Sequence, residues 1–407
     1  MMFHTLKSTI EQLSRTKNLY YLINFFGFLQ FLLPVWVFFA RDYLGLSYTQ
    51  VFLLPTIQFV TMLIFEIPTG SWADRFGRKR LSLAAQFLFL LANCSLLITN
   101  NFSYLVLAFT VRGFAYALDS GTLESLVYDN FKTNESYLKR YKQITSNKQT
   151  FLFLGRASAA LLAGYLFIYN PLAPVVAYII AIIISIFLTT LLPELEYESS
   201  SKSNDLEQIR AGLIKLGSSG EMLAFVGVLT LFTFLANIYF FSYQPILESA
   251  GFAPETISLI YVLVSIFSAL GSQLYKRSGN DSSFVTIKFM YFGLILSGVL
   301  FLVFDSGIPS LLAPLLLSVI FGVQVPLKNS FLNERIGSEV RSTTLSSVSF
   351  LSTIAIALAT LLTGYLLDQI AIPTLIAAVI VPSVIVLVIS TSILFSAKKH
   401  NSNTARQ

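Results

Sequence analysis

Gly70-Ser71-Trp72-Ala73-Asp74-Arg75-Phe76-Gly77-Arg78-Lys79 sets one acid and three bases into ten residues between two long apolar runs, 51–69 and 81–99. A charged loop this short, flanked by runs of that length, reads as a turn at a membrane face, with one helix entering it and another leaving. The rest of the chain agrees. It is 55% hydrophobic over 407 residues and 12% charged, about half the roughly 25% charge usual in soluble domains.

A helix needs about 20 mostly apolar residues to cross a roughly 30 Å hydrocarbon layer. Twelve windows meet that length: 20–40, 51–69, 81–99, 103–128, 149–169, 172–192, 222–244, 256–275, 284–304, 308–331, 344–367 and 373–395. They are continuous apolar runs and not the ten-residue alternation of barrel strands, so the expected fold is an all-α membrane protein with twelve transmembrane helices.

The net charge of +6 does not point to nucleic acid, because of where the charges lie. With the first 19 residues on the cytoplasmic side, Arg41 alone falls outside, Arg112 and Arg156 fall within spans, and every other Lys and Arg borders the cytoplasm. That satisfies the positive-inside rule with both termini cytoplasmic. Lys288 and Lys328 sit near helix ends, where their stems snorkel to the headgroups. The polar N-terminus runs into a full-length span with no small-residue cleavage pattern, so no signal peptide is expected. Cys94 is the only cysteine and lies in an apolar window, while His4 and His400 lie in the tails. Neither an intrachain disulfide, a metal cluster nor imidazole catalysis fits this inventory, and no cofactor is expected.

The longest polar stretch, 193–220, divides the chain into an N-terminal bundle at 1–192 and a C-terminal bundle at 221–396, with a tail at 397–407. Within it Leu206, Ile209, Leu213 and Leu216 recur at helical spacing, which suits a short amphipathic helix on the cytoplasmic interface. Leu161-Leu162-Ala163-Gly164-Tyr165-Leu166 returns as Leu361-Leu362-Thr363-Gly364-Tyr365-Leu366. Gly70 of the charged loop has a worn counterpart at Gly271, followed by Lys276, Arg277 and Gly279, with Tyr275 where the first copy has Asp74. Two matches at nearly one offset imply a duplicated six-helix unit. An even number of spans per copy makes the halves parallel repeats around a central cavity.

The G-x-x-x-D-R-x-G-R-K pattern resembles motif A of the major facilitator superfamily. The preceding Phe65-Glu66-Ile67-Pro68-Thr69 looks like the segment before motif A in bacterial efflux members. The resemblance implies a conformational latch in which Asp74 faces the start of the eleventh span on the cytoplasmic side. A carboxylate at a helix N-terminus gains roughly 0.3 to 1 kcal/mol there. Gly70 and Gly77 would allow close approach, and Arg75 and Arg78 would bind the carboxylate and headgroups. The alternative is a loop that only orients the chain.

In the fourth window, Arg112 resembles motif B of proton-coupled members, and Ser120-Gly121 to Tyr128-Asp129 looks like the end of helix 4 in bacterial efflux members. The match is partial, since Tyr116 stands where glycine is common. The fifth window keeps glycines at Gly155 and Gly164 where drug antiporters carry motif C, but it has no proline, and Arg156 interrupts it.

Charges at membrane depth are costly and face a wet cavity or a partner. At 1.5 Å per residue, Asp119 lies roughly 15 Å above Asp129, and Arg156 roughly 12 Å above Lys148, so the two are expected to meet near the midplane. Arg112 lies further out, and Glu124 and Glu66 nearer the cytoplasm. Two readings stand for Asp119, that it carries a coupling proton or that it and Arg156 form a permanent pair, and Glu124, Glu66 and Arg112 are the further candidates for proton coupling. Asn24, Phe25, Asn237, Tyr239, Tyr243 and Gln244, on the pseudo-equivalent first and seventh spans, are the candidate substrate contacts.

The expected function is secondary active transport without enzymatic chemistry: proton-coupled efflux of drugs or amphipathic metabolites from a bacterial cytoplasm. The alternative is proton symport of a small polar solute, and a non-transporting sensor is the remote third. Expected partners are a small-molecule substrate, protons and membrane lipid, with no nucleic acid, for a monomer in the cytoplasmic membrane. In a Cys94→Ala background, single cysteines at Asn101, Asn170 and Ser306 should react with an impermeant maleimide from outside, and those at Phe76, Ser203 and Ser278 should not. A reversed pattern would overturn the topology.

Overall fold

The structure is a computed structural model that describes the backbone of residues 2–98, 100–132, 135–193, 214, 219–277, 283–304, 307–335 and 341–404. Within these, the side chains of residues 2–10, 67–68, 70–71, 73–75, 132, 135–140, 142, 308, 333, 341–343 and 390–404 are excepted. The helix expected at 206–216 falls on residues outside the described ones, apart from Ile214.

Among the described residues the chain is helical throughout, and ten helices are long and apolar enough to cross a membrane. Backbone N–H and C=O groups have no water to bind in hydrocarbon, so a chain this apolar folds into segments that satisfy those groups internally. The first half comprises α1 (Met2–Gly27), α2 (Trp36–Phe38), α3 (Tyr48–Phe76), α4 (Arg78–Ile98), α5 (Phe102–Asp119), α6 (Thr122–Lys132), α7 (Glu135–Tyr169) and α8 (Ala173–Thr190). The second comprises α9 (Gly220–Ser249), α10 (Pro254–Arg277), α11 (Ser283–Val303), α12 (Leu312–Arg335), α13 (Arg341–Gln369) and α14 (Ile372–Thr404).

Two of the twelve expected spans are not single helices. The window 20–40 is interrupted after Gly27 and resumes as a 3-10 turn at Leu33–Val35, α2 and a π-turn at Phe39–Tyr43. The window 103–128 is cut between α5 and α6 by Ser120 and Gly121. Gly121 has φ of 70°, a left-handed conformation that L side chains reach only at a cost. Hydropathy averages over a window and registers neither a one-residue reversal of the backbone, as at Gly121, nor a short non-helical stretch, as at 28–32, which is why both interruptions escape it.

The chain forms two compact units. The first contains residues Met1–Gly45, Leu54–Asp205 and Pro254–Val262; the second contains Leu46–Leu53, Leu206–Ala253 and Leu263–Gln407. In the first unit α4 packs along α5 and α8, and α1 along α7 and α8. Its core gathers Leu29, Phe31, Phe89, Ala115, Ala159, Tyr178 and Ile182. In the second, α9 packs on α13, and α11 on α12 and α14, with Phe225 stacked on Phe331 and Phe284 set edge-on against both.

A Cβ built at Gly121 meets nothing within 4 Å, so a substitution there reports backbone conformation alone. Gly121→Ala should lower the unfolding free energy of the purified protein by about 1–2 kcal/mol. In an unbroken helix the same change would raise it by about 1 kcal/mol. The sign of the shift in thermal midpoint decides between a broken and a continuous fourth span.

Candidate functional site: a polar cavity at two helix breaks

Both interruptions border one cavity inside the first unit, of about 60 Å³. Asn24, Gly27, Phe28 and Gln30 reach it from the break after α1, and Tyr116, Asp119 and Leu123 from the break between α5 and α6. Gln86 and Phe89 of α4, with Tyr178, Ile182 and Ser185 of α8, close it. That volume holds a few water molecules or a small ion. Non-helical backbone at membrane depth is tolerated where it lines such a space.

Several of the side-chain donors around the cavity are committed elsewhere. Asn24 Nδ2 donates to Tyr20 O at 2.8 Å, and Tyr178 Oη donates to Gly27 O at 3.4 Å. Gln30 Nε2 donates to Tyr116 Oη at 3.3 Å. Gln86 Nε2 donates to Thr189 Oγ1 at 2.9 Å, and the hydroxyl of Thr189 is itself spent on Ser185 O at 2.9 Å. Thr189 therefore only accepts from Gln86, which fixes the amide with Oε1 turned away from it; that oxygen is buried and has no hydrogen-bond partner. A carbonyl accepts only, so Asn24 is fixed in the same way. The unpartnered Gln86 oxygen and the Asp119 carboxylate thus belong to two residues of the same lining.

The structure does not bring Asp119 and Arg156 together, and no ion pair joins them among the described residues. The Arg156 guanidinium lies over the ring of Phe28, 5.0 Å from its centroid, and its Nε is buried without a hydrogen-bond partner. The expected meeting assumed two unbroken helices. Instead, the break after Gly27 offers Phe28 to the guanidinium, and the turn at Ser120 redirects the chain beyond Asp119. Arg112 lies over Phe109 at 5.6 Å. Glu124 pairs with Lys148 at 3.3 Å, and Lys148 is the cation whose charge reaches Asp119. Glu66 is exposed on α3. Outside the spans, burial and then the Glu124 charge push the Tyr141 phenol up to about 12, so it stays neutral beside Glu124.

At the charged loop, Gly77 makes the turn between α3 and α4. Arg78 forms an ion pair with Asp129 of α6. Lys79 Nζ donates to Thr190 O at 2.8 Å and Leu192 O at 2.7 Å, so a cation meets the negative end of α8. Thr69 Oγ1 donates to Ala117 O at 3.0 Å, holding α3 to α5. Gly70, Asp74 and Arg75 belong to α3, and their side-chain surroundings lie outside the described residues.

Of the candidate substrate contacts, only Asn24 lines the cavity. Phe25 packs edge-on against Phe26. In the second unit Asn237 Nδ2 donates to Thr233 O at 2.7 Å, Tyr239 Oη donates to Ile376 O at 3.0 Å, and Gln244 Nε2 donates to Tyr243 Oη at 3.2 Å. Sequence reasoning missed Gln30, Gln86, Tyr116, Tyr178 and Asp129 as partners. Gln86 had a visible signal, a carboxamide in the middle of an apolar window.

A family profile described as Major Facilitator Superfamily matches residues 19–360. This chain belongs to the major facilitator superfamily. It is 22% identical over 329 residues to YxaM, an uncharacterised MFS-type transporter of Bacillus subtilis (strain 168), covering 77% of this chain and 79% of that one. Solved structures share the fold. The nucleoside transporter NupG superposes with a TM-score of 0.74 at 13% identity, covering 94% of this chain and 99% of that one. A D-xylose-proton symporter gives 0.67 at 12% identity, over 93% and 96%. A bacterial homologue of the lysosomal transporter Spinster gives 0.66 at 15%, over 96% and 97%. The chain is thus a multi-pass membrane transporter of the twelve-helix, two-domain fold, and not an enzyme.

Arg78→Gln and Asp129→Asn should each lower the thermal midpoint, and a double-mutant cycle should give a coupling of about 0.5–3 kcal/mol, as for other contacting pairs. Strict additivity would show that the pair contributes nothing to holding α4 on α6.

Proposed function

We propose that this transporter exports drugs or amphipathic metabolites across a bacterial cytoplasmic membrane in exchange for protons, and that Asp119 carries the coupling proton. The observation behind this reading is a carboxylate, without an ion-pair partner among the described residues, at a cavity where the Gln86 amide donates elsewhere and leaves its oxygen buried without a hydrogen-bond partner. A charged group at membrane depth faces a substrate or ion path far more often than it serves packing. Glu124 is the weaker candidate because Lys148 holds it. Glu66 and Arg112 have no described contact with the cavity, and Arg156 acts through Phe28 at its rim.

In the same proposal the motif A acid Asp74 biases the cycle by capping the eleventh span when the cytoplasmic side is closed. The chain works as a monomer with both termini in the cytoplasm. Proton symport of a small polar solute is the second reading. The absent proline in the fifth span favours it, as do solved neighbours described as a nucleoside transporter and a D-xylose-proton symporter.

Inverted vesicles with an acid interior and a pH-sensitive dye separate the two. Adding an exported compound outside collapses the gradient by antiport, whereas a symporter carries protons in with its solute. Asp119→Asn should abolish substrate-induced proton flux while keeping exchange of labelled for unlabelled substrate. Because Arg156 is engaged with Phe28, adding Arg156→Gln should not restore coupling. Proton flux of wild-type size in Asp119→Asn would remove Asp119 from the coupling role.

A further inference from the structure

The second unit takes in residues Leu46–Leu53, the first turns of α3, while the rest of that 29-residue helix belongs to the first unit. What holds those turns is a carboxylate. Asp368, one residue from the end of α13, accepts from Tyr48 N at 3.0 Å through Oδ1 and from Thr49 N at 2.7 Å through Oδ2. These amides are among the four that a helix start leaves without intrahelical partners, and they carry the positive end of the helix dipole.

The start of α3 also has a cap of its own. Ser47 Oγ accepts from Gln50 N at 3.2 Å, and Gln50 Oε1 accepts from Ser47 N at 3.1 Å, a reciprocal capping box. The box gives the helix start hydrogen bonds besides those to Asp368, although the hydroxyls of Ser47 and Thr49 also reach that carboxylate, and water can replace Asp368 at each of these donors. Asp368 is exposed, so its release strands no buried charge. Gly364, one turn earlier on α13, has no room for a Cβ: Tyr48 O would lie 2.7 Å away and Phe52 Cβ 2.8 Å away. This close approach brings Asp368 within reach.

The internal repeat sets a contrast. Gly164, the counterpart of Gly364, is tighter still, against Glu255 at the start of α10, where Ser258 Oγ accepts from Gly164 N at 3.1 Å. The position equivalent to Asp368 is Ile168, so the acid is present in one copy only.

We infer that Asp368 is a positioning residue of the transport cycle: a releasable cap on the start of α3 that is made and broken as that helix end moves during transport. This needs only transport by alternating access, and neither the coupling ion nor the direction proposed above.

The test is alkylation of the full-length protein in proteoliposomes by an impermeant maleimide, with Cys94→Ala and a single cysteine from Val51→Cys. Val51 is fully buried in the turn beside the cap, and the substitution is nearly isosteric. Asp368→Ala and Asp368→Asn should raise the alkylation rate several-fold with an unchanged thermal midpoint, and Asp368→Glu should restore a rate near that of the parent. An unchanged rate in Asp368→Ala overturns the inference. So does failure of both the Ala and Asn variants to fold, because a contact released in every cycle cannot be required for folding. Loss of proton coupling with a normal alkylation response would bear on the proposed function and leave the cap standing.

Discussion

Backbone amides and carbonyls in a bilayer have nowhere to turn but to the protein, and the rest of this structure follows from that constraint. It makes nearly the whole described chain helical and gives weight to the two places where a spanning helix stops. After Gly27, and at Ser120 and Gly121, the backbone leaves the helix at membrane depth, and both exits open onto the same small cavity. Interruptions of this kind are tolerated where protein or a lined space takes up the freed groups. Gln30, Gln86, Asn24 and Tyr178 converge on the cavity; Tyr178 takes up the Gly27 carbonyl at the end of α1, and the other three donate to Tyr116, Thr189 and the Tyr20 carbonyl.

The result is an electrostatic bias. Where the Gln86 amide donates to Thr189 its oxygen is left without a partner, in the lining that also holds the Asp119 carboxylate. Arg156, the cation expected to compensate, is engaged with Phe28 instead, while Arg112 lies over Phe109 and Lys148 pairs with Glu124. The charged stretch 70–79, helical except at Gly77, has a different task. Through Arg78 and Lys79 it fastens the start of α4 to α6 and to the end of α8, bracing the helices that enclose the cavity.

Much of this was legible in the sequence, because hydropathy, charge bias and a spaced motif are properties of side chains. The run of apolar windows and the D-R-x-G-R-K loop identified the fold class and the family. What stayed hidden depends on backbone geometry. Ser120-Gly121 could be read as a motif fragment, but nothing in residue types says that φ turns positive there. The pairing of Asp119 with Arg156 looked sound by depth and failed because depth along a helix presumes that the helix continues. Asp368 has backbone partners, which carry no side-chain signature; only the Ser47 and Gln50 capping box beside them was readable. The repeat at 161–166 and 361–366 was visible as a duplication, and the structure adds that both glycines mark close helix contacts.

The central claim is that Asp119 exists as a titrating carboxyl at the two helix breaks. Infrared difference spectroscopy of the reconstituted protein across a pH step reads this directly, through the carbonyl stretch of a protonated carboxyl. The account predicts a band that shifts when the cavity environment is altered by Gln86→Leu and is missing in Asp119→Asn. A wild-type difference spectrum retained unchanged in Asp119→Asn would contradict it.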